Sequence, residues 1–266
     1  MKKILILGAT GLVGHALVQM FNQDYKIFGL SRHEVQTDLF ESIVYDHEKN
    51  EIGPILTEIH PDIIISCTRG EFEAQLNTHY GIAEYAKENN IKVYFFSTAN
   101  VFDGDPSGIK YESSEVCAES DYGTFKIACE KILFDALESN AVILRLPMVM
   151  GDTAPRVETI KRALITNEKV QVHDNLMIST IYDQDIAVYL KYIIENAYDG
   201  IFHLASIDVI NQEDFYTQIF ESEKYLEVDH LEEHDPYYLA VVSERSELDE
   251  YSITNEDVIR RIKKLF

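Results

Sequence analysis

The apolar run KILIL at residues 3–7 stops at Gly8, and from Gly11 the pattern LVGHALVQMF takes up helical spacing. Gly8-Ala9-Thr10-Gly11-Leu12-Val13-Gly14 joins the two, so three spaced glycines lie between a buried strand and a helix. Few folds accommodate that order. Glycines permit a tight turn and let backbone approach a ligand, while the helix N-terminus offers free N–H groups at the positive end of its dipole. In this context the spacing predicts a dinucleotide-binding turn, with Gly8, Thr10, Gly11, Leu12, Val13 and Gly14 as its contacts.

The rhythm continues. Apolar runs at 26–30, 43–46, 62–67, 92–98 and 141–147 read as strands, and the segments 54–60, 77–90 and 122–139 as helices. Strands alternating with helices predict βαβ units and a doubly wound parallel sheet of the Rossmann type. The near-continuous apolar strands DIIIS and VILRL fit a sheet covered on both faces. Beyond about residue 150 the rhythm changes: helices at 157–168, 182–197 and 212–222, a strand at 201–206, an aperiodic acidic stretch at 223–250 and a basic terminal helix. The expected organisation is a Rossmann domain over 1–150 and a smaller substrate-binding α/β region over 151–266, with the helix at 182–198 packing back on the first domain.

Charge narrows the partners. Lys and Arg total 23 against 46 Asp and Glu, a formal charge of −23. A binder of duplex phosphate backbone carries a basic footprint, so no nucleic-acid partner is expected. No apolar run approaches the roughly 20 residues of a membrane span. The two lysines and apolar run at the N-terminus imitate a secretion signal, but the run breaks at Gly8 without a small-residue cleavage site. Cys67, Cys117 and Cys129 form no paired motif and read as reduced thiols of a cytoplasmic protein. His230 and His234 flank Glu232 and Glu233 but lack the His-Glu-x-x-His order, so no metal site is expected.

Cofactor choice falls at the end of the second strand, Gly29-Leu30-Ser31-Arg32-His33. An acid there would take the ribose hydroxyl of NAD. None is present, and Arg32 with Ser31 suits a 2′-phosphate, so NADP(H) is preferred, with NAD(H) possible. Tyr122 and Lys126 stand four apart at the start of a long helix and share one face. A tyrosine exchanging a proton near neutrality needs its pKa of about 10 lowered by roughly two to three units, and a lysine ammonium supplies part of that. Arg145, Arg156, Lys161 and Arg162 are candidate contacts for an anionic substrate, with solvated surface charge the favoured reading of Lys161 and Arg162.

Taken in order, GATGLVG, DIIISC, Asn77, STANVFDG (97–104), YGTFKIACEKIL, LRLPMVMG (144–151) and GIFHLASIDVINQEDFYTQIF are similar to the signatures of the extended short-chain dehydrogenase/reductases. Within that superfamily the chain most resembles the dTDP-4-dehydrorhamnose reductases, over about residues 3–222. The resemblance implies a cytoplasmic NAD(P)H-dependent reductase of a nucleotide-linked 4-keto sugar, and a homodimer is possible. It implies catalytic roles for Thr98, Tyr122 and Lys126, the tyrosine as general acid. Cys67, Thr68 and Ser97, with Tyr122 and Lys126, would border the cofactor; Asn100, Val101, Arg156, Thr98 and Tyr122 would border the substrate. Three departures stand out: the segment from Ser66 to Asn77 is shorter than the family's loop, the family's Arg-Pro element is not evident in VVSERSELDEY (241–251), and 225–238 does not align. The alternatives are a nucleotide-sugar epimerase or dehydratase that recycles NAD, and a non-catalytic NADP-binding regulatory protein.

Overall fold

The computed structural model describes residues 1–232 and 234–266. The first half runs β1 (Lys3–Leu7), α1 (Leu12–Phe21), β2 (Lys26–Ser31), β3 (Glu41–Val44), α2 (Gly53–Ile59), β4 (Ile63–Ser66), α3 (Phe72–Asn89), β5 (Lys92–Thr98), α4 (Asp121–Leu137) and β6 (Ala141–Leu146). There follow β7 (Met148–Met150), α5 (Pro155–Thr166), β8 (Val170–His173), β9 (Leu176–Ile178), β10 (Thr180–Tyr182), α6 (Asp183–Glu195) and β11 (Gly200–His203). The chain closes with β12 (Ile210–Asn211), α7 (Gln212–Phe220), β13 (Leu226–Asp229), β14 (Tyr237–Leu239) and α8 (Asn255–Lys263).

Seven strands form one sheet in the order β11-β6-β5-β4-β1-β2-β3, and every pairing in it is parallel. Successive residues of a strand face opposite sides. Leu5, Ile64, Phe95 and Ile143 pack under α2, α3 and α4, while Ile4, Ile6, Ile65 and Leu144 pack with α1 and α6. Both faces are dry, which is why these strands read as unbroken apolar runs rather than alternating ones. The structure is thus the Rossmann-type α/β fold.

Several boundaries differ from the sequence reading. The third strand is Glu41–Val44 rather than 43–46; just beyond it the Tyr45 amide still donates to the Ser31 carbonyl at 2.9 Å, and its side chain turns inward to Thr78 (Oη–Oγ1, 2.8 Å). The third helix starts at Phe72, five residues before the predicted 77, after Glu71 takes a left-handed φ of 38° with no side-chain cap to mark the start. The acidic stretch holds two short strands: β13 pairs with β8 and β14 with β9. Runs of three or four residues are too short for periodicity to register. The chain also recrosses residue 150, since α6 lies against α1 in one core and β11 extends the main sheet beside β6.

Candidate active site

Strand order reverses between β1 and β4, and in open parallel sheets that switch point opens the crevice where ligands bind. The turn after β1 and the turn after β4 meet there. One cavity of about 200 Å³ is lined by Gly8, Thr10, Gly11, Ser31, Arg32, Tyr45, His47, Cys67, Thr68, Arg69 and Glu71. A second, of about 210 Å³, runs on from Gly11, Cys67, Thr68 and Arg69 to Leu12, Val13, Ser97, Thr98, Tyr122, Lys126 and Arg156. The fold therefore gathers residues from both ends of the first 156 positions around one crevice.

The glycine turn contributes backbone. Leu12 and Val13 stand in the first turn of α1, where amide groups lack intrahelical carbonyl partners. Gly14 lines neither cavity. A Cβ on it would sit 2.1 Å from the Gly8 carbonyl oxygen, so its role is to let the helix close on the turn.

The α4 start is fixed by two devices. Ser120 caps it, its hydroxyl accepting from the Gly123 amide at 3.0 Å. Asp103 accepts from the amides of Glu119 (2.8 Å) and Ser120 (3.2 Å), and the Ser120 hydroxyl donates to the same carboxylate. A Cβ on Gly123 would lie 2.2 Å from the Asn100 carbonyl oxygen, so helix and turn touch backbone to backbone. Tyr122 and Thr98 are brought to one cavity by that contact.

Thr98 ends β5 and donates to Asn100 Oδ1 at 3.1 Å. Asn100 supports Thr98 but lines neither cavity, and Val101 is fully buried with Ala99, Phe102, Ala205 and Val241. Val101 is thus a core residue and does not meet a substrate, which corrects that expectation. Ser97 reaches the cavity wall, but its hydroxyl donates to Glu130. Glu130 is gripped by Arg145, with Nε to Oε1 at 3.1 Å and Nη2 to Oε2 at 2.8 Å. Arg145 is only 3% exposed, so it is a structural residue and is withdrawn as a substrate contact. Lys161 and Arg162 pair with Glu158 and Glu168 on the surface of α5.

Lys126 is buried, donating to the Phe96 carbonyl at 2.8 Å and the Thr68 carbonyl at 3.4 Å. Its ammonium stands 5.9 Å from the Tyr122 ring centre. Burial, reinforced by the charge of Arg69, pulls its pKa from 10.5 down to about 8. A lysine held below its unfolded value opposes folding while charged. The cost is complete below the folded value and is relieved as the pH climbs towards the unfolded one. We expect the wild type to gain about 2 kcal/mol of stability relative to Lys126→Met between about pH 7 and about pH 10. Urea unfolding at both values measures this, and parallel pH dependences for the two proteins would contradict it. Cys67 bonds the Leu7 carbonyl at 3.0 Å, and burial pushes its thiol up to about 12, so it contributes bulk rather than reactivity.

No acid occupies positions 29–33 at the end of β2, yet Glu71 comes from the start of α3 to within 3.9 Å of Arg32. Ser31 donates to the His33 carbonyl at 2.7 Å. Tyr45, His47, Arg69 and Glu71 are the polar lining residues of the first cavity that sequence reasoning missed. A cation beside Thr68 at the end of the switch-point strand was the available signal for Arg69. Among the described residues no three His, Cys, Asp or Glu side chains converge as a metal site. His230 pairs with Asp174 (2.7 Å), and Glu233 lies outside the described residues. No helix among the described residues is long and apolar enough to cross a membrane.

A doubly wound sheet with a glycine turn, a threonine and a helical Tyr–Lys pair at its switch point defines a dinucleotide-fold protein of the short-chain dehydrogenase/reductase type. The chain belongs to the RmlD substrate binding domain family, which it matches over residues 1–262. It is 26% identical over 246 residues to a dTDP-4-dehydrorhamnose reductase of Aggregatibacter actinomycetemcomitans, covering 83% of this chain and 79% of that one. Its fold is similar to the dTDP-4-dehydrorhamnose reductase of Yersinia enterocolitica (TM-score 0.82, 18% identity, all of both chains). It is also similar to that of Bacillus anthracis, solved in complex with NADP (TM-score 0.78, 20% identity, 98% of both chains).

Proposed function

We propose that the protein is an NAD(P)H-dependent oxidoreductase that reduces a nucleotide-linked 4-keto sugar, with NADP(H) as the preferred cofactor and NAD(H) as an alternative. The observation that carries this reading is the convergence of Thr98, Tyr122 and Lys126 with the opening turn of α1 on one cavity. The family and the named activity of the Aggregatibacter relative support it, as does NADP in the Bacillus anthracis structure.

The residues fit such a cofactor. The first-turn amides of α1 would take a diphosphate, Ser31 and Arg32 would meet a 2′-phosphate, and Lys126 would hold a ribose hydroxyl. When bound, the nicotinamide supplies a hydride to the carbonyl carbon. Tyr122 gives the proton that the carbonyl oxygen needs, and Thr98 turns its hydroxyl from Asn100 to donate to that oxygen. The Lys126 ammonium stands 5.9 Å from the Tyr122 ring centre, on the side of the helix from which the proton would be given. Residues 151–266 then supply the substrate wall, with Arg156 among them.

The test is NADPH oxidation with dTDP-4-dehydro-6-deoxy-sugar. Turnover abolished by Tyr122→Phe supports the reading; bound NADPH without turnover on any nucleotide-linked keto sugar refutes it. A second expectation concerns cofactor choice. Arg32→Ala should weaken NADPH roughly tenfold and NADH by less than about threefold, the effect of one exposed charge-assisted hydrogen bond. Equal weakening in direct titration would remove the 2′-phosphate argument.

A further inference from the structure

Thr98 and Tyr122 come from different elements, and one carboxylate joins the two. Asn100 holds both ends of the Thr98 hydroxyl. Its amide donates to Thr98 Oγ1 at 3.3 Å, and its Oδ1 accepts the Thr98 proton at 3.1 Å. The other end of the same side chain, Nδ2, donates to Asp103 Oδ2 at 3.4 Å. That oxygen also takes the Ser120 hydroxyl, two residues before Tyr122, while Asp103 Oδ1 takes the Glu119 and Ser120 amides. An unbroken chain of hydrogen bonds therefore runs from Thr98 through Asn100 and Asp103 to the cap of α4.

The chemistry of its members fixes its direction. A carboxylate only accepts, so Asp103 selects the NH2 end of Asn100 and leaves Oδ1 to face Thr98. The backbone beneath is held independently. Val101 and Phe102 are buried, and the Cys117 amide donates to the Val101 carbonyl at 2.8 Å. The Gly104 amide donates to the Cys117 carbonyl at 2.9 Å. Tyr237 of β14 donates to the Asp103 carbonyl at 3.2 Å. The Asp103 side chain is what carries this rigid frame to the Thr98 hydroxyl. Neither Asn100 nor Asp103 lines the crevice, so both act through Thr98.

We propose that Asp103 is a positioning residue: through Asn100 it holds the Thr98 hydroxyl in register with the helix start that carries Tyr122. The inference rests on the proposed roles of those two hydroxyls. Both must reach one substrate oxygen, and an offset of about 1 Å can cost roughly a hundredfold in rate.

Two substitutions break the link at different points. Asp103→Asn keeps one oxygen for the Glu119 and Ser120 amides but turns an NH2 group towards Asn100. Asn100→Ala removes the middle of the chain and leaves the Asp103 contacts with α4 in place. Each should lower kcat for NADPH-dependent reduction of dTDP-4-dehydro-6-deoxy-sugar about tenfold, with KM and NADPH affinity within about threefold. In a Thr98→Ala background the same substitutions should cost less than about twofold, because the hydroxyl they position is gone. A merely structural role would cost the same in both backgrounds, and that result overturns the proposal. Should Asp103→Asn unfold, Asn100→Ala decides alone.

A second measurement needs no turnover. In methyl-labelled protein, couplings across the Thr98 χ1 bond should report one rotamer in wild type and a rotamer average in both variants. One unchanged rotamer in all three proteins overturns the proposal. The expected rotamer change, without wild-type turnover on any nucleotide-linked keto sugar, upholds the link from Asp103 to Thr98 and refutes the proposed function.

Discussion

Tyr122→Phe is expected to lower turnover by two to four orders of magnitude, the range for losing a positioned general acid, or about 3–5 kcal/mol of barrier. Only the hydroxyl is removed. The ring stays half-buried 6.1 Å from Phe72, and the Gly123 contact that fixes the helix is untouched. NADPH affinity should therefore remain within about threefold, because a single neutral hydroxyl contributes little more than about 1 kcal/mol to binding. The loss should fall on kcat rather than on KM, as it does for a group that acts only in the transition state. Turnover within tenfold of wild type would show that the proton comes from elsewhere.

The second large effect lies in stability. Arg145 and Glu130 are 3% and 5% exposed, and the carboxylate also takes the Ser97 hydroxyl. Removing one partner of a buried ion pair leaves the other charge uncompensated, at a cost of about 3–5 kcal/mol. Arg145→Met is expected to lose that amount in denaturant unfolding. Glu130→Leu combined with Arg145→Met should recover most of it, because two apolar side chains leave no stranded charge. A single variant within about 1 kcal/mol of wild type would mean that the pair is solvated when the protein breathes. Glu130 follows Lys126 by one helical turn and Ser97 precedes Thr98, so Glu130 ties α4 to β6 through Arg145 and to the end of β5 through Ser97.

The fold was legible wherever a strand is dry on both sides or a helix shows one apolar face. KILIL, DIIIS and VILRL announced the sheet, and the glycine turn placed its switch point. The cavity lining was legible where local spacing sets it, as with Tyr122 and Lys126, four apart on one helix and both on the cavity wall. What escaped was set by long-range geometry. Glu71 meets Arg32 only because α3 opens beside the end of β2. Val101 sits within a motif that includes Thr98, yet its side chain enters the core, and Asp103 of the same motif pins the start of α4. Arg145 looked like a ligand contact because charge is conspicuous in an apolar strand, while its partner Glu130 stands fifteen residues earlier. The small strands β8, β9, β13 and β14 pair across long separations, and nothing within so few residues reveals a partner.

The recrossing of residue 150 bears on how such a chain can be inherited. With β11 extending the main sheet and α6 covering α1, the segment after residue 150 also completes the sheet and core of the first half. A recombination event at residue 150 would leave β6 with an unpaired edge and strip cover from Leu17 and Phe21. Exchange of whole halves between relatives is thus penalised unless both halves have drifted together. New substrate preferences are more accessible through replacements inside the turns that rim the crevice, which can change without disturbing the sheet beneath them.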